Sequence, residues 1–343
     1  MKQRRLLIKA SLFSTIMVLT IRWILTLDTQ RIINVIYHPP NPIPVRKSVT
    51  LNDSTYIYHL NLTSFEAEFP QLQSYICTLI QQPHPQEQGV TNQKQLILGV
   101  KSYPGKSTRR AALRQTWAKK RDINGYRLRP LFLLGKTDIK GHMEIVKLES
   151  QVYGDILQWD MAEGHHNLSL KERCFLEWLY LKSPNVDFIF KGDDDEFVNT
   201  DVIVQYIKEH GTPNTIHGAH QHRPQVMRSS KYSITRTLYP QEHYPGFVAG
   251  GGFLFPGASV KSLYTASQIL PVFPLDDVYF GFLALAANLT YRHDGRFYMY
   301  GLKYDACKYK QALVVHGIDS ENIVPIWREV QNSKCQKNQS APN

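Results

Sequence analysis

An α/β domain built on a largely parallel central sheet, with helices on both faces, is what this 343-residue sequence predicts, on three observations. From Gln95 onward, short apolar runs of strand length alternate with segments of helical period, the pattern of repeated βαβ units. Hydrophobic residues make up 43% of the chain, enough to fill a core on each side of a sheet. The apolar run Phe188–Phe190 leads through Lys191 and Gly192 into three consecutive aspartates. Parallel sheets place their ligands at this end of a strand.

The elements follow in chain order. QLILGVKSY (Gln95–Tyr103) reads as a strand, after which Ser107 or Thr108 caps a helix running through Lys119, with Arg110, Arg114 and Trp117 close to one face. PLFLLG (Pro130–Gly135) is the second strand, followed by a helix to about Val152 and the strand DILQW (Asp155–Trp159). Leu168–Lys182 is helical, with Phe175, Trp178 and Leu179 facing a core, and Pro184 stops it before the strand VDFIFK (Val186–Lys191). After about His217 the chain is richer in aromatics, Pro and Gly, and its strands are less sharply marked.

The region before Gln95 reads differently. Basic residues Lys2, Arg4 and Arg5 precede the apolar stretch Leu6–Leu27, which as a helix is about 33 Å long against a hydrocarbon thickness of about 30 Å. Lys9 and Arg22 lie near enough to its ends to reach the interface. The uncharged core Ala10–Ile21 also fits a cleaved signal peptide, but no convincing small-x-small cleavage site follows, so the favoured reading is an uncleaved signal anchor whose basic flank stays in the cytosol, with the remainder in a lumen. Residues 28–94 read as stem and linker: HPPNPIPV (His38–Val45) is extended, Phe65–Ile80 has helical spacing interrupted by Pro70, and Gln81–Gly89 is a linker. The expected division is therefore tail 1–5, anchor 6–27, stem 28–94, main domain 95–335 and tail 336–343. Luminal exposure accords with five Asn-x-Ser/Thr sequons, at Asn52, Asn61, Asn167, Asn288 and Asn338, among 15 asparagines. Cys77, Cys174, Cys307 and Cys335 form an even set without CxxC or zinc spacing, and three disulfide connectivities are open to them.

A formal charge of +11 and a pI near 9.3 would suit a polyanionic partner. The basic residues are dispersed, however, with no stripe or arm interleaved with aromatics, which argues against nucleic acid. Attraction to the phosphates of a small substrate is an equally good use of the charge.

Four stretches could carry chemistry. In Asp193-Asp194-Asp195 the outer carboxylates point the same way and can share a hard cation such as Mg2+ or Mn2+, and the apolar Phe197 and Val198 press the turn into the domain. In FPLDDVYFG (Phe273–Gly281), Asp276 is placed to cap a helix and so orient Asp277, and adjacent carboxylates among apolar residues raise each other's proton affinity, as suits a general base. Gly250, Gly251 and Gly252 fit either close backbone approach to a ligand or a bend in a strand. His316 follows the strand ALVV, where a ligand role is geometrically available, whereas HGAHQH (His217–His222) reads as a loop of partly exposed histidines. No nucleophile elbow is present.

Taken in order, RRAALRQTW, FLLG, YGDILQWD with NLSLKE, FIFKGDDDEFVN, YPGFVAGGGFLF, FPLDDVYFG and ALVVHG resemble the β-1,3-glycosyltransferase family of Golgi membrane enzymes, from about Leu96 to Cys335. DDV in place of EDV, and the closing VVHGIDSENIVPIWREVQNSKC, look more like its N-acetylglucosaminyltransferase branch than its galactosyltransferase branch. The resemblance implies a GT-A type fold, a type II Golgi membrane protein, and an inverting transfer from UDP-GlcNAc, or alternatively UDP-Gal, to galactose-terminated glycans. It also implies Mn2+, with Mg2+ as substitute, and homo- or hetero-oligomers with other Golgi transferases. By that likeness Asp195 and His316 bind the metal, Asp193 and Asp194 complete the acidic turn near ribose and sugar, and Asp193 shares in the metal site. Arg110, Arg114 and Trp117 lie near the nucleotide or support its loop, Gly250–Gly252 line the donor sugar, and Asp277 is the base with Asp276 beside it. The chain departs from the family pattern at Gly246, Phe247 and Ala219 and in GFLALA (Gly281–Ala286), which bears on acceptor choice or on activity. A catalytically silent, glycan-binding relative is the remote alternative.

Overall fold

The structure, a computed structural model, describes residues 47–84 and 93–335. The anchor stretch Leu6–Leu27, the proline-rich His38–Val45, most of the linker and Asn338 lie outside the described residues. Among the described residues no helix is long and apolar enough to cross a membrane.

The elements are β1 (Ser48–Asn52), β2 (Ile57–Asn61), α1 (Leu62–Glu68), α2 (Pro70–Ser74), β3 (Leu79–Gln81), β4 (Lys94–Lys101) and α3 (Ser107–Gln115). There follow β5 (Arg121–Ile123), β6 (Tyr126–Lys136), α4 (Lys140–Tyr153), β7 (Ile156–Ala162), α5 (Leu168–Lys182), β8 (Phe188–Asp193) and β9 (Glu196–Val198). The remainder comprises α6 (Thr200–His210), β10 (Thr215–Gln221), β11 (Phe247–Pro256), α7 (Val260–Ser267), α8 (Asp276–Ala286), β12 (Thr290–His293), β13 (Phe297–Tyr298), α9 (Ala306–Gln311), β14 (Val314–His316) and α10 (Ser320–Asn332).

The main sheet runs β12-β10-β11-β8-β4-β6-β7-β3, with β5 pairing β6. Its centre, β8-β4-β6-β7, is parallel as expected. The sheet as a whole is mixed, which corrects the largely parallel expectation: β11 runs antiparallel to both β10 and β8, and β3 antiparallel to β7. The reason is connectivity. A loop without a crossover helix joins β10 to β11, and the chain returns along β10 in the opposite direction.

Strand side chains alternate between two cores. Ile97 and Ile189 join Phe175, Phe253 and Phe280 on one face, while Leu96, Leu98 and Phe190 join Leu113, Trp117 and Phe197 on the other. A small second sheet, β13-β14-β9, lies at the carboxyl end of β8.

Part of the segment that reads as stem packs into the body of the protein. Val49, Tyr58, Leu60, Phe65 and Leu72 are buried in the first core, and Cys77 is bonded to Cys174 on α5. The expected helix over Phe65–Ile80 is instead α1 and α2, broken before Pro70, whose ring fits a first turn but no interior one. The helix expected to reach Lys119 ends at Gln115, and it starts from Lys106 without a side-chain cap. Trp117 therefore sits on the turn after α3, not on its face. The second disulfide joins Cys307 to Cys335.

Candidate active site

Asp193 closes β8, and its register partner on β4 is Lys101. The turn beyond it is fixed from below: Trp117 Nε1 donates to the Glu196 carbonyl at 2.7 Å, and Glu196 Oε1 accepts from the Asp193 amide at 2.9 Å. Pairing of β14 with β9 sets His316 opposite Glu196. The amides of Gly317 and Ile318 then donate to the Asp195 carbonyl at 3.0 and 2.8 Å, with Gly317 at φ +85°. One ligand atom each from Asp193, Asp195 and His316 lies within 4.8 Å of the others. Asp195 Oδ1 is buried without a hydrogen-bond partner, 3.5 Å from His316 Nε2. Two carboxylates and an imidazole around an orphaned oxygen fit a divalent cation.

Asp194 turns away from this set. It accepts from Ser102 Oγ at 2.6 Å and pairs with Arg109 at 3.3 Å. Burial holds its carboxyl above the usual range, against the pull of these two donors.

The second acidic pair approaches from the other side. Asp276 is the first residue of α8, and the cap position, held by Leu275, makes no side-chain bond. The expected capping by Asp276 is thus replaced: its carboxylate goes to Lys101 at 2.8 Å and faces Lys191 at 3.7 Å. Lys101 also reaches Asp193 at 3.1 Å, so one buried ammonium ties the two acidic motifs together. Burial opposes the charge on Lys101, but Asp193 and Asp276 together hold it protonated beyond its ordinary range. Asp276 is correspondingly kept ionised: burial resists, and Lys101 and Lys191 outweigh it. Burial, and then the charge of Asp276, push Asp277 up to about 6. Among the described residues Asp277 enters no ion pair, and its one close donor is the Val278 amide at 2.8 Å.

The glycines explain how these groups meet. A Cβ on Gly251 would sit 2.9 Å from His316 Cδ2, one on Gly252 2.9 Å from Val314 Cγ1, and one on Gly250 3.4 Å from Asp277 Cβ. Strand β11 thus passes between the acidic pair of α8 and the histidine of β14, with no room for side chains at Gly251 and Gly252.

Arg110 and Arg114 are committed elsewhere. Arg110 is wholly buried, paired with Glu149 at 2.7 Å and donating to the carbonyls of Tyr103 at 2.7 Å and Pro104 at 2.9 Å. It also donates to Ser102 Oγ at 3.2 Å, so it shapes the loop that orients Asp194. Arg114 pairs with Glu149 at 2.7 Å and Asp155 at 2.8 Å, beside a cavity of about 440 Å³ that includes Arg129 and Tyr153. That cavity lies at the amino ends of β4 and β6, away from the carboxylates.

Sequence reasoning missed Lys101, Ser102, Arg109 and Lys191. The lysine closing QLILGVK offered a signal, but its partners come from two distant segments. The histidines of HGAHQH lie largely on β10 rather than in a loop: His217 is buried, with its Nδ1 3.1 Å from Tyr206 Oη, and His220 stacks on Tyr291 at 4.5 Å.

Comparison with known proteins agrees with the family resemblance. A protein-family model described as Galactosyltransferase matches residues 108–295. N-acetyllactosaminide beta-1,3-N-acetylglucosaminyltransferase 3 of Homo sapiens is 32% identical over 252 residues, 68% of this chain and 66% of the relative. UDP-GlcNAc:betaGal beta-1,3-N-acetylglucosaminyltransferase 7 of Rattus norvegicus is 34% identical over 257 residues, covering 69% and 64%. Beta-1,3-galactosyltransferase 5 of Pan paniscus is 30% identical over 243 residues, covering 69% and 81%. The match thus spans just under two thirds of the length of these two acetylglucosaminyltransferases.

Proposed function

Since the chain belongs to the galactosyltransferase family, we propose that it is an inverting, metal-dependent transferase of the GT-A type. It moves GlcNAc from UDP-GlcNAc to the 3-hydroxyl of galactose-terminated glycans. The observation that carries this reading is Asp277: a carboxylate of raised proton affinity, in no ion pair among the described residues, packed against Gly250 of the same strand whose Gly251 packs against His316 of the set Asp193, Asp195 and His316.

Asp277 takes the proton of the acceptor hydroxyl. The freed oxygen forms a bond to the anomeric carbon on the face opposite UDP, the bond from that carbon to the phosphate oxygen breaks, and UDP keeps the electron pair. One carboxylate suffices, because UDP leaves without the protonation that a hydrolase must supply from a second acid. Lys101 holds Asp276 ionised beside the base, and that fixed charge keeps Asp277 proton-hungry. Asp193, Asp195 and His316 would hold Mn2+ or Mg2+, and the ion, when bound, supplies positive charge to the departing diphosphate.

UDP-Gal is the second reading for the donor, favoured by the likeness to a galactosyltransferase over 81% of that relative. The presence of Asp195, Asp277 and His316 in the sequence argues against a silent glycan-binding relative. The reading includes a type II Golgi membrane protein anchored through Leu6–Leu27, with its domain luminal, able to associate with itself or with other Golgi transferases. Incubating the full-length protein with labelled UDP-GlcNAc or UDP-Gal, Mn2+ and lactose-type acceptors tests donor and activity together. Product from UDP-GlcNAc that disappears on exhaustive chelation and returns with Mn2+ is expected; turnover that survives chelation would remove the metal from the reading.

A further inference from the structure

The long loop between β10 and β11, residues 222–246, has little regular structure yet is firmly held. A single guanidinium gathers it: Arg228 donates to the carbonyls of Ile234 at 3.0 Å, Tyr239 at 2.9 Å and Gln241 at 2.5 Å. Val226 donates to the Glu242 carbonyl at 2.8 Å, and Ile234, Leu238, Tyr239 and Tyr244 are buried beneath the loop. Compact loops of this kind on a rigid scaffold commonly carry function.

The loop presents an exposed ring against a histidine from another segment. Tyr232 is 40% exposed, and its centroid lies 5.5 Å from that of His165, itself exposed. His165 comes from the turn before α5, and its neighbour His166 is fixed by Nδ1 at 3.2 Å from the Pro274 carbonyl, two residues before Asp276. Electrostatics agree on the location. His165 is lowered by burial and by His166, with the Asp276 carboxylate pulling the other way, and the loop's Tyr244, raised by burial, also feels Asp277.

Scattered exposed aromatics are ordinary. Two that converge from distant segments, one delivered by a clamped loop and the other adjoining a histidine bonded to the carbonyl two residues before Asp276, are not. We propose that Tyr232 and His165 form an aromatic platform for the acceptor, stacking on the apolar C–H face of a β-galactoside so that its 3-hydroxyl meets Asp277. Rigid rings lose little entropy on binding, and their electron-rich faces suit C–H groups.

This rests on the transferase reading, so turnover and binding are measured separately on the full-length protein. Tyr232→Ala and His165→Ala should each raise KM for N-acetyllactosamine about tenfold, with KM for the sugar nucleotide within about twofold of the parent, while Tyr232→Phe, which keeps the ring, behaves as the parent. Saturation-transfer NMR with lactose should show transfer to the galactose ring protons that weakens in Tyr232→Ala. An acceptor KM untouched by Tyr232→Ala, or no lactose signal in the parent, overturns the platform. Tyr232-dependent lactose binding without turnover from either donor would leave the platform standing and sink the transferase reading.

Discussion

At the scale of single residues, the proposed base Asp277 is held by its neighbours in a state that costs stability. Its carboxyl titrates near 6 in the folded chain against a usual 3.8, because burial and Asp276 disfavour the charge. A carboxyl raised on folding contributes stability that is present below its unfolded value and lost as pH rises through the folded one. Above about pH 6 the ionised Asp277 therefore destabilises the fold, by about 3 kcal/mol at most. Asp277→Asn should lower kcat by about 10²–10⁴ and raise the melting temperature at pH 7 but not at pH 3. Loss of activity with an unchanged or lower Tm at pH 7 would contradict the assignment. For the parent, kcat/KM for the acceptor should fall about tenfold per pH unit below about 6. Asp193, Asp195, Asp277 and His316 stood out in the sequence by residue type and by position at strand or helix ends, and the family resemblance gave each its expected role. Lys101 was not, since a lysine ending a strand is ordinary until β4 is set beside β8 and Asp276 arrives from α8.

At the scale of elements, β11 is the spacer of the site. Its glycines were readable as close approach or as a bend, and the structure shows close approach of the chain to itself: Gly251 packs on His316, with Met299 Sδ 3.1 Å from where a Cβ would stand. The antiparallel course of β11 was hidden, because a buried strand of either direction has the same apolar run. Gly251→Ala should push His316 away from Asp195. Overpacking of this kind costs about 1–3 kcal/mol, so the Mn2+ concentration for half-maximal rate should rise about tenfold while KM for the acceptor holds. A metal requirement identical to that of the parent would mean the histidine side can yield without consequence. The turn after α3 is the complementary support. Trp117→Phe keeps an aromatic ring but strips the donor from the buried Glu196 carbonyl, a loss of about 1–3 kcal/mol, and leaves a void where the larger indole stood, both visible as a lower denaturation midpoint. An unchanged midpoint would show that the indole N–H is not what holds the acidic turn.

At the scale of the whole molecule, the compact unit begins at Ser48, well before the βαβ pattern starts at Gln95. The sequence hid this because the intervening elements are short and half-polar: β1 and β2 alternate exposed and buried residues, and α1 and α2 each bury one side chain. Their contribution appears only in three dimensions, where Tyr58 meets Phe282 with ring centroids 6.3 Å apart and Phe65 meets Phe273 at 5.6 Å. The Cys77–Cys174 bridge closes a separation of 97 residues, for which the chain-entropy account gives about 4–5 kcal/mol. Removing residues 48–94 would uncover the apolar surface against which these rings pack, leave Cys174 unpaired and take β3 from the edge of the sheet. A fragment starting at Ser48 should therefore elute as a folded species with the circular dichroism of the parent domain and a cooperative melt, whereas one starting at Gln95 should aggregate or melt without cooperativity. A Gln95 fragment as stable and as active as the Ser48 fragment would show that the hairpin and its disulfide are passengers rather than part of the fold.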